Sequence, residues 1–198
     1  MPQDEQYWNK MYAERDTGWD TGQPNAPLKE YIDQLTDKSM AILMPGAGNA
    51  YEAIYLMEQG FQNVTVVDIA PLVIDKLKTE QAVWLDKGLQ VIHADFFQLK
   101  GSYDLVLEQT FFCAIDPAMR ESYIEQMAAL LKPSGKIAGV LFNRTFEAGP
   151  PFGGNAAGYK KMFGKYFGIK LMEPCYNSIA PRAGTEVFFI AQRSMAGK

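Results

Sequence analysis

A chain of 198 residues, 47% hydrophobic and 21% charged, has the composition of one ordinary globular domain, which excludes a disordered or collagen-like chain. A formal net charge of −4 without a long Lys/Arg run argues against nucleic acid and for a small-molecule partner. No stretch approaches the roughly 18 apolar residues of a membrane span and Met1–Glu5 lacks a signal-peptide pattern, so no membrane is expected and the expected setting is cytoplasmic.

In chain order, Tyr7–Tyr12 reads as a short helix with Trp8 and Tyr12 four apart on one face, and Thr17–Gly22 as a loop carrying Trp19. Three large flat side chains ahead of any core strand are costly to leave in water, so they are expected to cover something. A helix over Leu28–Leu35 follows, closed by Thr36–Ser39. From Met40 the chain alternates. A strand over Met40–Met44 ends at Pro45-Gly46-Ala47-Gly48, and Ala50–Gln59 has helical spacing, stopped by Gly60. Val64–Asp68 is a second strand, and Leu72, Ile74, Leu77 and Trp84 predict one long helix out to Lys87. Leu89–His93 and Tyr103–Glu108 are strands three and four, Pro117–Leu131 a helix, Leu131–Lys136 a turn, and Lys136–Asn143 a fifth strand. This rhythm predicts a parallel sheet with helices on both faces. After the Pro/Gly loop Gly149–Gly154, Tyr159–Tyr166 reads as a basic amphipathic helix. Ile169–Pro174 and Glu186–Gln192 read as strands that pair antiparallel, having no long helix between them.

Gly46-Ala47-Gly48 stands where the first strand turns into a helix, the place where α/β sheets bind nucleotides through close backbone approach. A dinucleotide fingerprint would require a third glycine at position 51, where Tyr51 stands; this disfavours a pyrophosphate and a dehydrogenase. Asp68 ends the second strand twenty residues after Gly48, where a carboxylate accepts both ribose hydroxyls. Asp95 follows the third strand, within reach of an adenine edge. Cys113 and Cys175 are too few for a disulfide framework, and with His93 as the only histidine no Cys/His metal site can be assembled. His93, at the end of an apolar strand, reads as structural, Cys113 as a small buried hydrophobe, and Lys160, Lys161, Lys165 and Lys170 as a solvated face.

The order of these motifs resembles the class I S-adenosylmethionine-dependent methyltransferases, and more narrowly the thiopurine S-methyltransferase family with its halide/thiol branch. The resemblance spans nearly the whole chain. It rests on Trp8, Tyr12 and Trp19-Asp20, on Leu43–Glu52, on Val67-Asp68-Ile69, on Phe111-Phe112-Cys113-Ala114-Ile115-Asp116-Pro117 with Arg120, and on Gly149–Phe152. It implies a Rossmann-like α/β fold whose seven-stranded, mostly parallel sheet has one antiparallel edge strand, with helices on both faces, and a single domain over 1–198 with residues 1–38 as a cofactor-covering arm and helix. It implies S-adenosylmethionine as cofactor, leaving as S-adenosylhomocysteine, and a monomer acting on a small-molecule acceptor. Trp8, Tyr12 and Trp19 would form a lid, Gly46 and Gly48 the turn at the amino-acid end, and Asp68 the ribose holder. Asp95 and Phe96 would flank the adenine, and Gln109 would lie near the methionine moiety or the reacting centre. The chain departs from the family pattern at Tyr12, Ala47 and Gln109.

A sulfonium needs no strong base when the acceptor is a soft anion, which suits a chain with one histidine. The expected reaction is methyl transfer to a thiol, thiopurine, bisulfide or halide, with Phe111, Phe112, Pro151 and Phe152 as apolar walls. The alternatives are a small-molecule O- or N-methyltransferase, which would need a positioned base or metal, and a non-catalytic cofactor-binding protein, which would lack a cavity beside the methyl position.

Overall fold

The computed structural model describes residues 3–194. Seven strands form one sheet in the order β3-β2-β1-β4-β5-β7-β6. The central strands β1 (Ile42–Pro45) and β2 (Val64–Asp68) are buried at every position, as expected of parallel strands covered on both faces. β1 pairs in parallel with β2 on one side and with β4 (Tyr103–Gln109) on the other, while β3 (Leu89–His93) closes one edge. The chain therefore reverses its direction of winding at β1, which opens a crevice at the carboxyl ends of β1 and β4.

Side chains alternate across the sheet. Leu43, Val106, Ile137 and Leu141 join a core cluster under α6 (Arg120–Leu130) and α7 (Ala156–Phe163). Ile42, Met44, Val64, Val66 and Leu105 join a second cluster under α2 (Ala26–Asp33), α3 (Tyr51–Glu58) and α4 (Pro71–Glu80). The N-terminal helix α1 (Glu5–Ala13), capped by Asp4, lies against α4, where Asn9 accepts the Leu72 N–H at 3.0 Å.

Three expectations change in detail. The reversed strand is β7 (Glu186–Arg193), which lies one place in from the edge between β5 (Leu131–Phe142) and β6 (Phe167–Pro174) and pairs antiparallel with both. The edge strand β6 thus runs parallel to the rest, because the β6–β7 return folds inward and buries Phe189 and Ala191 completely. The long helix to Lys87 breaks at Gln81 and restarts as the single turn α5 (Ala82–Leu85). Thr79 donates its hydroxyl to the Asp75 carbonyl just before the break, a back-bond that loosens a helix. The turn expected over Leu131–Lys136 lies inside β5, where the register jumps from Tyr103↔Leu131 to Leu105↔Lys136 around Ser134 at φ +64°.

Gly139 of β5 shows how tightly β4 is seated, since a Cβ added there would stand 2.5 Å from Glu108 Cβ and 2.6 Å from its carbonyl oxygen. Gly139→Ala is expected to lower stability by roughly 1–3 kcal/mol through overpacking, read by urea denaturation. A change below about 0.5 kcal/mol would contradict this packing.

Candidate functional site

The crevice is built on a strained turn. After β1 the backbone takes φ +60° at Gly46, +50° at Gly48 and +54° at Ala50 before α3 begins. Asp68 locks this turn from the neighbouring strand: Oδ2 accepts the Gly48 N–H at 3.0 Å and Oδ1 accepts the Ala70 N–H at 2.9 Å. Burial pushes the Asp68 carboxyl up, and the N–H groups of Ala70, Gly48 and Ile69 pull it back. Each carboxylate oxygen can take a second donor, so Asp68 retains acceptor capacity where it borders the crevice. The missing side chain of Gly46 is filled by Phe111, whose ring carbon would lie 2.5 Å from a Cβ there.

A cavity of about 750 Å³ occupies the crevice. Trp8, Tyr12, Trp19, Gly46, Asp68, Asp95 and Phe96, all singled out from the sequence, border it together. Trp19 meets Trp8 and Tyr12 edge-on, with ring centroids 5.6 and 5.7 Å apart. Burial and the charge of Asp68 push the Tyr12 hydroxyl well above its ordinary range, so it stays a neutral donor. Asp95 caps the short turn Phe96–Gln98 by accepting the Phe97 N–H at 2.9 Å, and Phe96 lies edge-on to Phe111. Gly48 and Gln109 border an adjoining recess of about 60 Å³ beneath the glycine turn. There the buried Gln109 Oε1 has no hydrogen-bond donor among the described residues.

Phe112 is a correction. Its side chain is 1% exposed and packs among Tyr123, Tyr159 and Phe163 with the Arg120 guanidinium over its ring at 4.6 Å, so it belongs to the core and does not border the cavity. Phe111 faces the cavity in its place, with Pro151. His93 lies outside the cavity, its Nε2 3.0 Å from the Ile69 carbonyl and 3.4 Å from Glu5. Cys113 does border the cavity, but burial pushes its thiol up to about 12. Arg182 is half-buried: it donates to the Trp19 carbonyl at 2.9 Å and lies 3.5 Å from Glu186, so it fastens the arm to the loop before β7. Arg120 donates to the carbonyls of Gly153 and Phe152 at 2.9 and 2.8 Å, holding the Pro/Gly loop.

Besides Glu186 beside Arg182, two buried carboxylates that accept backbone N–H groups escape sequence reasoning. Glu52 on α3 accepts the Asn25 N–H at 2.8 Å, and Glu108, fully buried, accepts the N–H groups of Phe111 and Phe112. The one available signal for Glu108 is an acidic residue closing the apolar run Leu105-Val106-Leu107.

With this geometry in view, the comparisons with known proteins agree. The family model for thiopurine S-methyltransferase matches residues 3–189. The chain is 26% identical over 185 residues to a probable thiol methyltransferase 2 of Arabidopsis thaliana, covering 90% of this chain and 81% of that protein. It is 24% identical over 186 residues to a thiopurine S-methyltransferase of Nitrosospira multiformis, covering 84% of each. Its fold is similar to that of magnesium protoporphyrin IX methyltransferase from Synechocystis PCC 6803 with bound SAH, with a TM-score of 0.74 at 18% identity over 96% of this chain and 98% of that one.

Gly46→Ala should be costly, because the new Cβ meets both a left-handed backbone and the Phe111 ring. The expected loss is roughly 1–3 kcal/mol in chemical denaturation. A variant as stable as the parent would show that Phe111 does not rest on this turn.

Proposed function

The chain belongs to the thiopurine S-methyltransferase family of S-adenosylmethionine-dependent methyltransferases, and from that premise we propose that its acceptor is a small soft nucleophile: a thiol or thiopurine, bisulfide, or a halide or thiocyanate anion. The observation that carries this reading is one continuous cavity. It runs from the carboxylates of Asp68 and Asp95 to an apolar wall of Phe111, Ile115 and Pro151 bordered by Arg144 and Arg182. A protein that merely held the cofactor would need no such second half.

The residues fit the cofactor. Asp68 has free lone pairs for ribose hydroxyls, Asp95 and Phe96 stand where adenine would be flanked, and the unpartnered Gln109 Oε1 suits the ammonium of the amino-acid end. When bound, S-adenosylmethionine supplies a methyl group on a positively charged sulfur, already activated toward an anion. The protein's part is then alignment and exclusion of water. Trp8, Tyr12 and Trp19 cover the cavity, and Phe111 aligns the acceptor along an apolar wall. A thiol with a pKa near 8.5 already provides thiolate at neutral pH, so the chemistry asks for no base from the protein. We place the whole activity in one domain over residues 1–198, with residues 1–38 supplying the covering arm and the helix α2 that packs on the sheet, working as a monomer in the cytoplasm without a nucleic-acid partner.

The test is S-adenosylhomocysteine formation, followed by mass spectrometry, with bisulfide, iodide, thiocyanate, an aromatic thiol and a thiopurine as acceptors and a catechol as oxygen control. Turnover with a sulfur or halide acceptor and none with the catechol is expected; the reverse pattern would overturn the reading. The arm gives a separate prediction: S-adenosylhomocysteine should slow proteolysis around Trp19 by about tenfold or more, seen on gels. Unchanged cleavage with bound product would remove the covering role.

A further inference from the structure

Glu108 ends the apolar run of β4 and has no contact with solvent. Its Oε1 accepts two hydrogen bonds, from the Phe111 N–H at 2.9 Å and the Phe112 N–H at 2.8 Å, while Oε2 accepts the Tyr123 hydroxyl from α6. The space it fills on the β5 side exists because residue 139 is glycine. Thr110, at φ +59°, turns the backbone sharply so that the next two N–H groups converge on one oxygen. Beyond that convergence the two phenylalanines part: the Phe111 ring rests on Gly46 and borders the cavity, and the Phe112 ring enters the core beneath Arg120.

On the reading that this cavity holds S-adenosylmethionine and its acceptor, we infer that Glu108 is a positioning residue for methyl transfer: its buried carboxylate fixes the turn that aims Phe111 at the reacting end of the cavity and keeps Phe112 in the core. A carboxylate suits the task because it accepts three donors at once without having to donate, and charge-assisted bonds are roughly twice as strong as neutral ones. A glutamine of the same shape can accept through one atom only.

The arrangement makes the turn sensitive to pH. The groups that face Glu108 are Tyr123 from α6 and Cys113 from the loop after β4, both kept neutral by burial, and β5 presents only the backbone at Gly139. Burial raises the Glu108 carboxyl to about 7, against the pull of Tyr123 and the two N–H groups. Protonation converts one oxygen into a donor, leaves the Tyr123 hydroxyl without its acceptor and weakens the hold on the turn. Because the carboxyl is raised in the folded state, its ionisation lowers stability as pH rises from about 4.5 to about 7, a component that Glu108→Gln removes.

The test combines amide NMR of the free protein with kinetics. The Phe111 and Phe112 N–H signals should titrate together with a midpoint near 7, and Glu108→Gln should abolish that titration. Tyr123→Phe, which removes one donor without changing charge, should move the midpoint upward. With iodide or thiocyanate, whose charge is constant across this range, turnover of the natural protein should fall as pH drops through the same midpoint. In Glu108→Gln turnover should be roughly tenfold lower and independent of pH, with S-adenosylhomocysteine affinity within about threefold. Phe111 and Phe112 signals that do not titrate would overturn the inference, as would a Glu108→Gln enzyme with unchanged kcat and acceptor KM, or one whose turnover and product affinity fall together. If no acceptor is turned over at all, the proposed acceptor class fails, and the titration still decides the role of Glu108.

Discussion

The hydrogen bond from the Gly48 N–H to the Asp68 carboxylate ties the end of β1 to the end of β2, and the crevice depends on it. A turn with left-handed backbone at Gly46, Gly48 and Ala50 exposes backbone donors that need an acceptor, and the adjoining strand supplies one. Once the turn is fixed, the absent side chain of Gly46 becomes the seat for Phe111, and Gly48 lies close enough to Tyr12 that a Cβ there would stand 3.1 Å from its hydroxyl. The first loop, the fourth strand and the N-terminal arm thus meet on one short piece of backbone. Asp68 is costly to bury, and the N–H groups around it offset that cost.

The two halves of the cavity are held by separate means. Carboxylates and the aromatic arm shape the side next to β2 and β3, while Glu108, accepting backbone N–H groups, and Arg120, donating to backbone carbonyls, shape the loops after β4 and β5. Arg182 links them by donating to the Trp19 carbonyl from the loop before β7. On the proposed reading the chemistry of a sulfonium donor fits this division: one side would carry recognition, and the other would need only shape, dryness and alignment.

Much of this was legible in the sequence because it follows from local pattern. β2 and β3 fall on the residues expected from apolar runs, and Gly46, Gly48 and Asp68 were placed by their position between strands. What escaped depends on contacts distant in sequence or on the direction of a single turn. Phe111 and Phe112 are chemically identical neighbours, and the left-handed backbone at Thr110 together with Glu108 separates them. Glu108 in turn owes its environment to Tyr123 on α6 and Gly139 on β5, neither adjacent in the chain. The inward position of β7 is likewise a tertiary choice, since an antiparallel pair at the end of a sheet can be attached by either strand.

The most direct measurement is calorimetric titration of S-adenosylhomocysteine into the natural protein and into Asp68→Asn, with circular dichroism to establish that both are folded. The account predicts saturable one-to-one binding by the natural protein and affinity lower by roughly tenfold or more in the variant, because a neutral amide accepts less strongly and through one atom only. Equal affinity in the two folded proteins, or no binding by the natural one, would contradict the claim that the Asp68 crevice is the cofactor site.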